Sequence, residues 1–282
     1  MRTFFLTLVL AIASTALQAQ EIIYEKEDSL FITGLLDRHA GKEYGTTGEL
    51  LLAIATEFTG REYVAGTLDA HDGEPLYIST SRLDCTTFVE LVLAISVTIK
   101  EDDNTFAGVC SNLEKVRYCN GVRNGYASRL HYISQWIADS AKSSFIEEVT
   151  CGKESRTQLL DLHYMSRHPA NYRQLKENPA LVAEIEKREM PFRGKKVCYI
   201  PKESIGKSIG CPKIENGDII ALTTDIKGLD VVHIGFAYRK NGSVHLLHAS
   251  SGAGKVIKDE KTLFDYQKGK KSQTGIRVFR AK

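Results

Sequence analysis

The sequence predicts an α+β protein in which helices precede a strand-rich C-terminal half. Two stretches near the start carry apolar residues at helical spacing, and a dense apolar run opens at Cys85. From Gly217 onward, short apolar runs alternate with turn residues instead. With 43% hydrophobic and 26% charged residues among 282, the chain has ample material for a sizeable core. The formal net charge is +2 with the signs interleaved, so no basic stripe points to nucleic acid and no acidic tail is present.

Residues 1–19 stand apart from the rest. "MRTFFLTLVLAIASTALQAQ" sets one basic residue before an apolar run from Phe4 to Ala13, followed by small residues. That is the layout of a secretory signal peptide, with cleavage expected after Ala19. The run is shorter than the roughly 20 residues a membrane span needs, and no cysteine follows it to carry a lipid. Residues 20–282 are therefore read as one exported catalytic-sized domain, periplasmic or secreted, with no stable membrane anchor.

Within that domain, "DSLFITGLLDRHAG" and "TGELLLAIATEFTG" each read as an amphipathic helix stopped by glycine. "REYVAGTL" is extended, a loop rich in Asp, Gly and Pro spans 69–75, and "LYIST" reads as a short strand. From Cys85 to Ile99, length and apolar density favour a buried helix. The segment 101–201 alternates irregular pieces with helical patterns, among them "SRLHYISQWIADS", "LDLHYMSRHPANYRQL" and "NPALVAEIEKREM". "GDIIALTTD", "DVVHIGFAYRK", "SVHLLHASS", "GKVIKD" and "GIRVFR" then read as strands of an antiparallel sheet.

Six cysteines occur, Cys85, Cys110, Cys119, Cys151, Cys198 and Cys211, and none forms a CxxC pair that would suggest structural zinc. Cys110 and Cys119 could bridge locally across "CSNLEKVRYC", but a helix there would hold them too far apart. Disulfide connectivity stays open.

Cys85 is the candidate nucleophile. If the helix begins there, Asp84 caps it, and the positive end of the helix favours the thiolate and an oxyanion. Phe88, Val89, Leu91, Val92 and Ile95 would anchor the helix behind it. The plainer reading is an inert core thiol. A thiol nucleophile needs a base and a group to orient that base. "VVHIGFAYRKNGSVHLLHAS" supplies both, because Asn241-Gly242 marks a tight hairpin turn. Counting outward pairs Lys240 with Ser243, Tyr238 with His245 and Gly235 with His248. His233 and His248 then share one face as diagonal neighbours, and His245 points the other way. His233 is expected as base and His248 as its orienting partner. A zinc site on Cys85, His233 and His248 lacks an evident fourth ligand, so no metal and no cofactor is expected. His163 and His168 are spaced so that they do not share a helical face.

"LDCTTFVE" followed by "DVVHIGFAY" and "LLHASS" resembles the NlpC-type cell-wall hydrolases, a papain-like cysteine hydrolase superfamily. Within it, "YVAGTL", "DCTTFVE", "SRLHYISQWI", "MSRHPANY", "YIPK", "NGDIIALTT", "GLDVVHIGFA" and "HASSGAGKV" resemble, in order, the N-acetylmuramoyl-L-alanine amidase-like family. The likeness runs over residues 45–282. It implies a papain-like fold with 101–201 as an elaboration between Cys85 and His233, and Tyr63 lining the site near the oxyanion. It also implies a peptidoglycan-fragment substrate, cut between N-acetylmuramic acid, preferentially in its 1,6-anhydro form, and L-alanine. Arg129, His131 and Tyr132 in "SRLHY" are candidate substrate contacts, since Arg can fork onto carboxylates and Tyr can stack on a sugar. Alternatively, Arg129 is a surface charge and Tyr132 packs inward with Trp136. Two other functions remain as alternatives, a D-Glu/diamino-acid endopeptidase of the same superfamily and a non-catalytic muropeptide-binding protein.

Overall fold

The structure is a computed structural model that describes residues 21–205 and 214–282. The expected signal peptide and Cys211 lie outside the described residues. After strand β1 (Ile22–Ile23), helices α1 (Lys26–His39) and α2 (Thr47–Glu57) form where the periodicity predicts them. Glu25 and Asp28 build a capping box on α1, and the Thr46 side chain accepts the Glu49 amide on α2. Each helix turns one stripe inward, Ile32, Leu35 and Leu36 from α1 and Leu51, Ile54 and Ala55 from α2. The extended stretch contracts to β2 (Glu62–Tyr63), and β3 (Leu76–Tyr77) and β4 (Arg82–Leu83) lead into α3 (Cys85–Lys100). α4 (Phe106–Arg117) packs along α3.

The segment 101–201 is less helical than its sequence pattern suggests. α5 (Ile133–Lys142) forms as expected, then come strands β5 (Ile146–Glu148) and β6 (Arg156–Leu159). "LDLHYMSRHPANYRQL" yields only the single turn α6 (Tyr164–Arg167) and a 3-10 turn over Pro169–Asn171. Pro169 has no N–H to extend α6 and disfavours helical backbone at His168 before it. α7 (Pro179–Glu189), β7 (Lys196–Pro201) and α8 (Lys202–Ile205) complete the segment. It therefore contributes three strands to the sheet as well as helices.

The C-terminal part forms β8 (Ile219–Thr224), β9 (Val231–Lys240), β10 (Ser243–Ser250), β11 (Lys255–Thr262), α9 (Leu263–Gln267) and β12 (Gln273–Ala281). The ten-stranded sheet has the order β4-β2-β11-β10-β9-β8-β12-β7-β6, with β5 also on β12. Among the described residues of this sheet, only β2 and β4 pair in parallel, so it is antiparallel from β2 onward; β1 and β3 form a separate parallel pair. Residues such as Ala221, Phe236 and Leu247 pack with the helices α1–α4, while Leu222, Leu246 and Ile276 pack with Ile205 and Leu263 of α8 and α9. Both faces are covered, which is why β8 is buried at every position and reads as a nearly continuous apolar run. The β9–β10 hairpin has the expected register, Lys240 with Ser243 and Tyr238 with His245. Asn241 and Gly242 both take positive φ, as a type I′ turn requires.

Candidate active site

Asp84 fixes the start of α3 with a reciprocal cap. Its Oδ1 accepts the amides of Thr86 at 3.0 Å and Thr87 at 2.8 Å, and its own N–H donates to Thr87 Oγ1 at 2.9 Å. This cap takes the second and third amides of the turn and leaves the Cys85 N–H outside it. The buried Phe88 ring meets Phe58 and Phe236 edge-on, at 5.9 and 5.5 Å between centroids, so α3 is wedged between α2 and β9. The parallel pairing of Tyr63 with Leu83 brings the Tyr63 ring beside the turn that carries Cys85.

The Cys85 side chain is half-buried, with Sγ 4.0 Å from Thr86 Oγ1. Burial, then the Asp84 carboxylate, push its thiol up to about 11, and the backbone N–H of Ile234 opposes this only in part. The helix terminus was expected to favour the thiolate; desolvation and the capping carboxylate act against it and favour the neutral thiol. Ile234 directly follows His233, and the phenol of Tyr266 on α9 feels the charge of Cys85 while its ring contacts both His233 and His248. The thiol and the two imidazoles thus share Tyr266 as a common neighbour.

His233 Nε2 lies 2.6 Å from His248 Nδ1, the rings perpendicular with centroids 4.8 Å apart. They share one face of the hairpin as expected, and the intervening Gly235 leaves the space in which they meet. A Cβ at Gly235 would stand 2.8 Å from His248 Cβ. His245 points away, its ring stacked on Tyr238. Burial pulls both His233 and His248 well below the usual imidazole range, so both rings are neutral at pH 7.

Three nearby groups escaped the sequence reading. Asp259 Oδ2 lies 3.5 Å from His248 Nε2. Tyr266 packs edge-on against His248 and parallel to His233, and Lys270 Nζ sits 3.4 Å above the Tyr266 ring. Asp259 was within reach of the same counting. Ser250 pairs with Lys255 and His248 with Ile257, so Asp259 is the diagonal neighbour of His248 on the next strand. No comparable signal marks Tyr266, which stands on a helix of five residues.

Arg129, His131 and Tyr132 are held by internal partners. Arg129 is buried, not a surface charge. It forks onto Glu74 at 2.9 and 2.8 Å, reaches Asp69 at 2.7 Å and lies over the Tyr126 ring. His131 Nε2 lies 2.9 Å from the Tyr126 carbonyl, and burial lowers its pKa to about 3. Tyr132 packs inward as Trp136 does, its hydroxyl donating to Glu189 at 2.7 Å and accepting the Met165 amide at 2.8 Å. Cys151 and Cys198 form a disulfide, while Cys85, Cys110 and Cys119 are free.

Residues 53–276 match the family described as AmiA-like, N-acetylmuramoyl-L-alanine amidase-like. A crystal structure of an N-acetylmuramoyl-L-alanine amidase from Bacteroides uniformis ATCC 8492 is 40% identical, with a TM-score of 0.80 over 84% of this chain and 99% of that one. A Bacteroides fragilis structure provisionally designated a xylanase is 44% identical, with a TM-score of 0.77 over 81% and 99% of the two chains. A Legionella pneumophila protein shares the fold at 20% identity, with a TM-score of 0.70 over 90% and 94%. No curated protein matches the chain. With a family match over most of its length and a 40% identical amidase covering 84% of it, the chain belongs to the N-acetylmuramoyl-L-alanine amidase-like family.

Proposed function

We propose that the protein is an exported cysteine amidase that hydrolyses the bond between N-acetylmuramic acid, in its 1,6-anhydro form, and L-alanine in peptidoglycan fragments. The observation that carries this reading is the His233–His248 contact of 2.6 Å beside a thiol at a helix N-terminus. In this reading residues 1–19 are the signal peptide, and residues 20–282 are one papain-like catalytic domain. The Cys151–Cys198 disulfide suits an oxidising compartment outside the cytoplasm. No described helix is long and apolar enough to cross a membrane.

The resting pair is neutral thiol and neutral imidazole, so proton transfer accompanies attack. His233 takes the proton from Cys85 Sγ as the sulfur bonds to the lactyl carbonyl carbon. The negative charge gathers on the carbonyl oxygen, where the uncapped Cys85 N–H and Tyr63 receive it. The protonated His233 then passes its proton to the L-alanine nitrogen, and the C–N bond breaks to leave a thioester. Water, deprotonated by His233, cleaves the thioester and restores the thiol. Arg129, His131 and Tyr132 shape the substrate cleft. Arg129 does so by tying the loop at Asp69 and Glu74.

The xylanase designation of the Bacteroides fragilis relative suggests a different chemistry, glycoside hydrolysis by two carboxylates facing across a cleft. The carboxylates nearest Cys85 and the histidines do not offer such a pair. Asp84 is engaged as a helix cap, and Asp259 accepts the Lys261 amide at 2.9 Å. Mass spectrometry of products from anhydro- and reduced muropeptides tests the proposal. Wild type should release free peptide beginning with L-alanine, and Cys85→Ala should release none while keeping its melting temperature. Cleavage between D-Glu and the diamino acid would instead assign the endopeptidase. Full activity in Cys85→Ala would sink the thiol mechanism.

A further inference from the structure

Asp259 is held more firmly than a surface carboxylate near a strand end needs to be. Its backbone carbonyl accepts the Tyr238 hydroxyl at 2.7 Å and lies 3.2 Å from His245 Nδ1. Its Oδ1 accepts the Lys261 amide at 2.9 Å. The β10–β11 register breaks between the His245–Thr262 and Leu247–Lys258 pairs, so residues 259–261 of β11 stand opposite the single residue Leu246. This bulge re-aims the strand at Asp259. What remains free on the carboxylate is Oδ2, and it points to His248 Nε2 at 3.5 Å. His248 is fully buried, and Nε2 has no hydrogen-bond partner at ordinary distance among the described residues. A buried ring nitrogen without an acceptor is costly, and Oδ2 is the carboxylate oxygen placed to relieve it.

We propose that Asp259 is a positioning residue that sets the tautomers of both histidines through His248. Its Oδ2 accepts the Nε2–H of His248, which leaves His248 Nδ1 unprotonated. That nitrogen can then only accept from His233 Nε2–H across the 2.6 Å contact. The proton of His233 is thereby fixed on Nε2, and Nδ1 carries the lone pair that can take the Cys85 proton. Without Asp259, His248 is free to place its own proton on Nδ1 and donate to His233 Nε2. His233 would then carry its proton on Nδ1 and could not act as a base from that side. The relay crosses three adjacent strands, His233 on β9, His248 on β10 and Asp259 on β11. When His233 becomes protonated in the reaction, the same carboxylate stabilises the positive charge through His248.

Other charged and titratable groups pack on this relay and must be counted with it. Lys270 disfavours protonation of both rings, Tyr266 lies against both, and Tyr238 and His245 touch the Asp259 carbonyl. Glu260 is turned outward to Lys240 at 2.6 Å. None of these presents a second acceptor to His248 Nε2 at hydrogen-bond distance.

The inference rests on Cys85 thiol chemistry, so its test uses two readouts that need no substrate. Long-range nitrogen–proton NMR of wild type should show both His233 and His248 protonated at Nε2. Iodoacetamide labelling of the Cys85 peptide, followed by mass spectrometry across pH 5–9, reads the coupling of thiol to base. Asp259→Ala and the isosteric Asp259→Asn should convert at least part of His248 to the Nδ1–H form and slow Cys85 labelling near neutral pH roughly 10–100-fold. Asp259→Glu should recover part of that loss. On muropeptide, kcat should fall by the same factor with little change in KM. A wild-type His248 protonated at Nδ1 overturns the proposal without any variant, and so does an Asp259→Asn protein with wild-type tautomers and labelling. If the tautomers are as stated but no muropeptide is cleaved, the amidase reading fails while the positioning role stands.

Discussion

At Gly235 the lack of a side chain decides where an imidazole can sit. The residue lies between His233 and the strand that carries His248, and a Cβ there would meet His248 Cβ at 2.8 Å and the Leu247 carbonyl at 3.0 Å. Both neighbours belong to a paired strand, so neither can retreat without opening the hairpin. Gly235→Ala is expected to push His248 from His233 and lower kcat at least about tenfold, a change of roughly 1.4 kcal/mol in the barrier. Steady-state kinetics check this, and kcat unchanged from wild type would count against the pair as a working unit. The thiol gives a second prediction at this scale. Burial raises Cys85 and lowers His233 and His248, so the thiol stays protonated to higher pH and the rings stay neutral to lower pH than in free side chains. The thiolate ultraviolet absorbance that distinguishes wild type from Cys85→Ser should therefore be absent at pH 7. The acid limb of kcat/KM should lie below pH ~6.5, the free imidazole value. A thiolate signal at neutral pH would mean that an ion pair, not the neutral pair, is the resting state.

Among the elements, α3 carries the greatest burden, because it must hold Cys85 against the sheet. Beneath its first turns, Glu90 and Arg117 of α4 form a buried ion pair at 2.7 Å, and Arg117 also donates to the Tyr77 carbonyl at 2.7 Å. Desolvation raises the Glu90 pKa, and Arg117 opposes that shift. Removing one partner leaves the other buried and unpaired. Glu90→Ala is expected to destabilise the protein by about 3–5 kcal/mol, whereas Glu90→Leu with Arg117→Met should recover much of the loss. Denaturant unfolding of the three proteins measures it, and equal stabilities would remove the pair from the account of how α3 is held. The start of α3 was legible because Asp84 before an apolar run is a capping signal with a local cause. The strands β5, β6 and β7 were not legible. They are short, β5 and β7 mix exposed with buried positions and β6 buries none, so their own period is weak. β5 and β7 pair with β12, far along the chain, and β6 pairs with β7. Pro169 stands inside a helical pattern and breaks it, since it lacks the N–H to continue α6 and disfavours helical backbone at His168. The internal partners of Arg129 were not legible either, because Glu74 and Asp69 lie 55 and 60 residues away in sequence.

Over the whole molecule, the sheet is continuous from the strands that carry the site to an outer set supplied by the 101–201 segment. β9, β10 and β11 hold His233, His248 and Asp259, whereas β7 lies beyond β8 and β12. The disulfide belongs to that outer set. Cys151 follows β5 and Cys198 lies within β7, so the bond joins two segments that pair with the same strand, β12. It closes a loop of sequence separation 47 that contains α6 and α7. Tying off a loop of that length removes chain entropy from the unfolded state worth at most about 4 kcal/mol. The double variant Cys151→Ala with Cys198→Ala, or the reduced protein, is therefore expected to lose roughly 2–4 kcal/mol of unfolding free energy. Iodoacetamide labelling of Cys85 should proceed at the wild-type rate in the same variant, because two strands separate the bond from β9. Urea unfolding and peptide mapping on one preparation read both quantities. Slower Cys85 labelling with the fold intact would mean that the outer strands and the histidine hairpin are mechanically one unit. An unchanged unfolding midpoint would mean that β12 pairing alone orders the outer strands, and that the disulfide adds nothing to them.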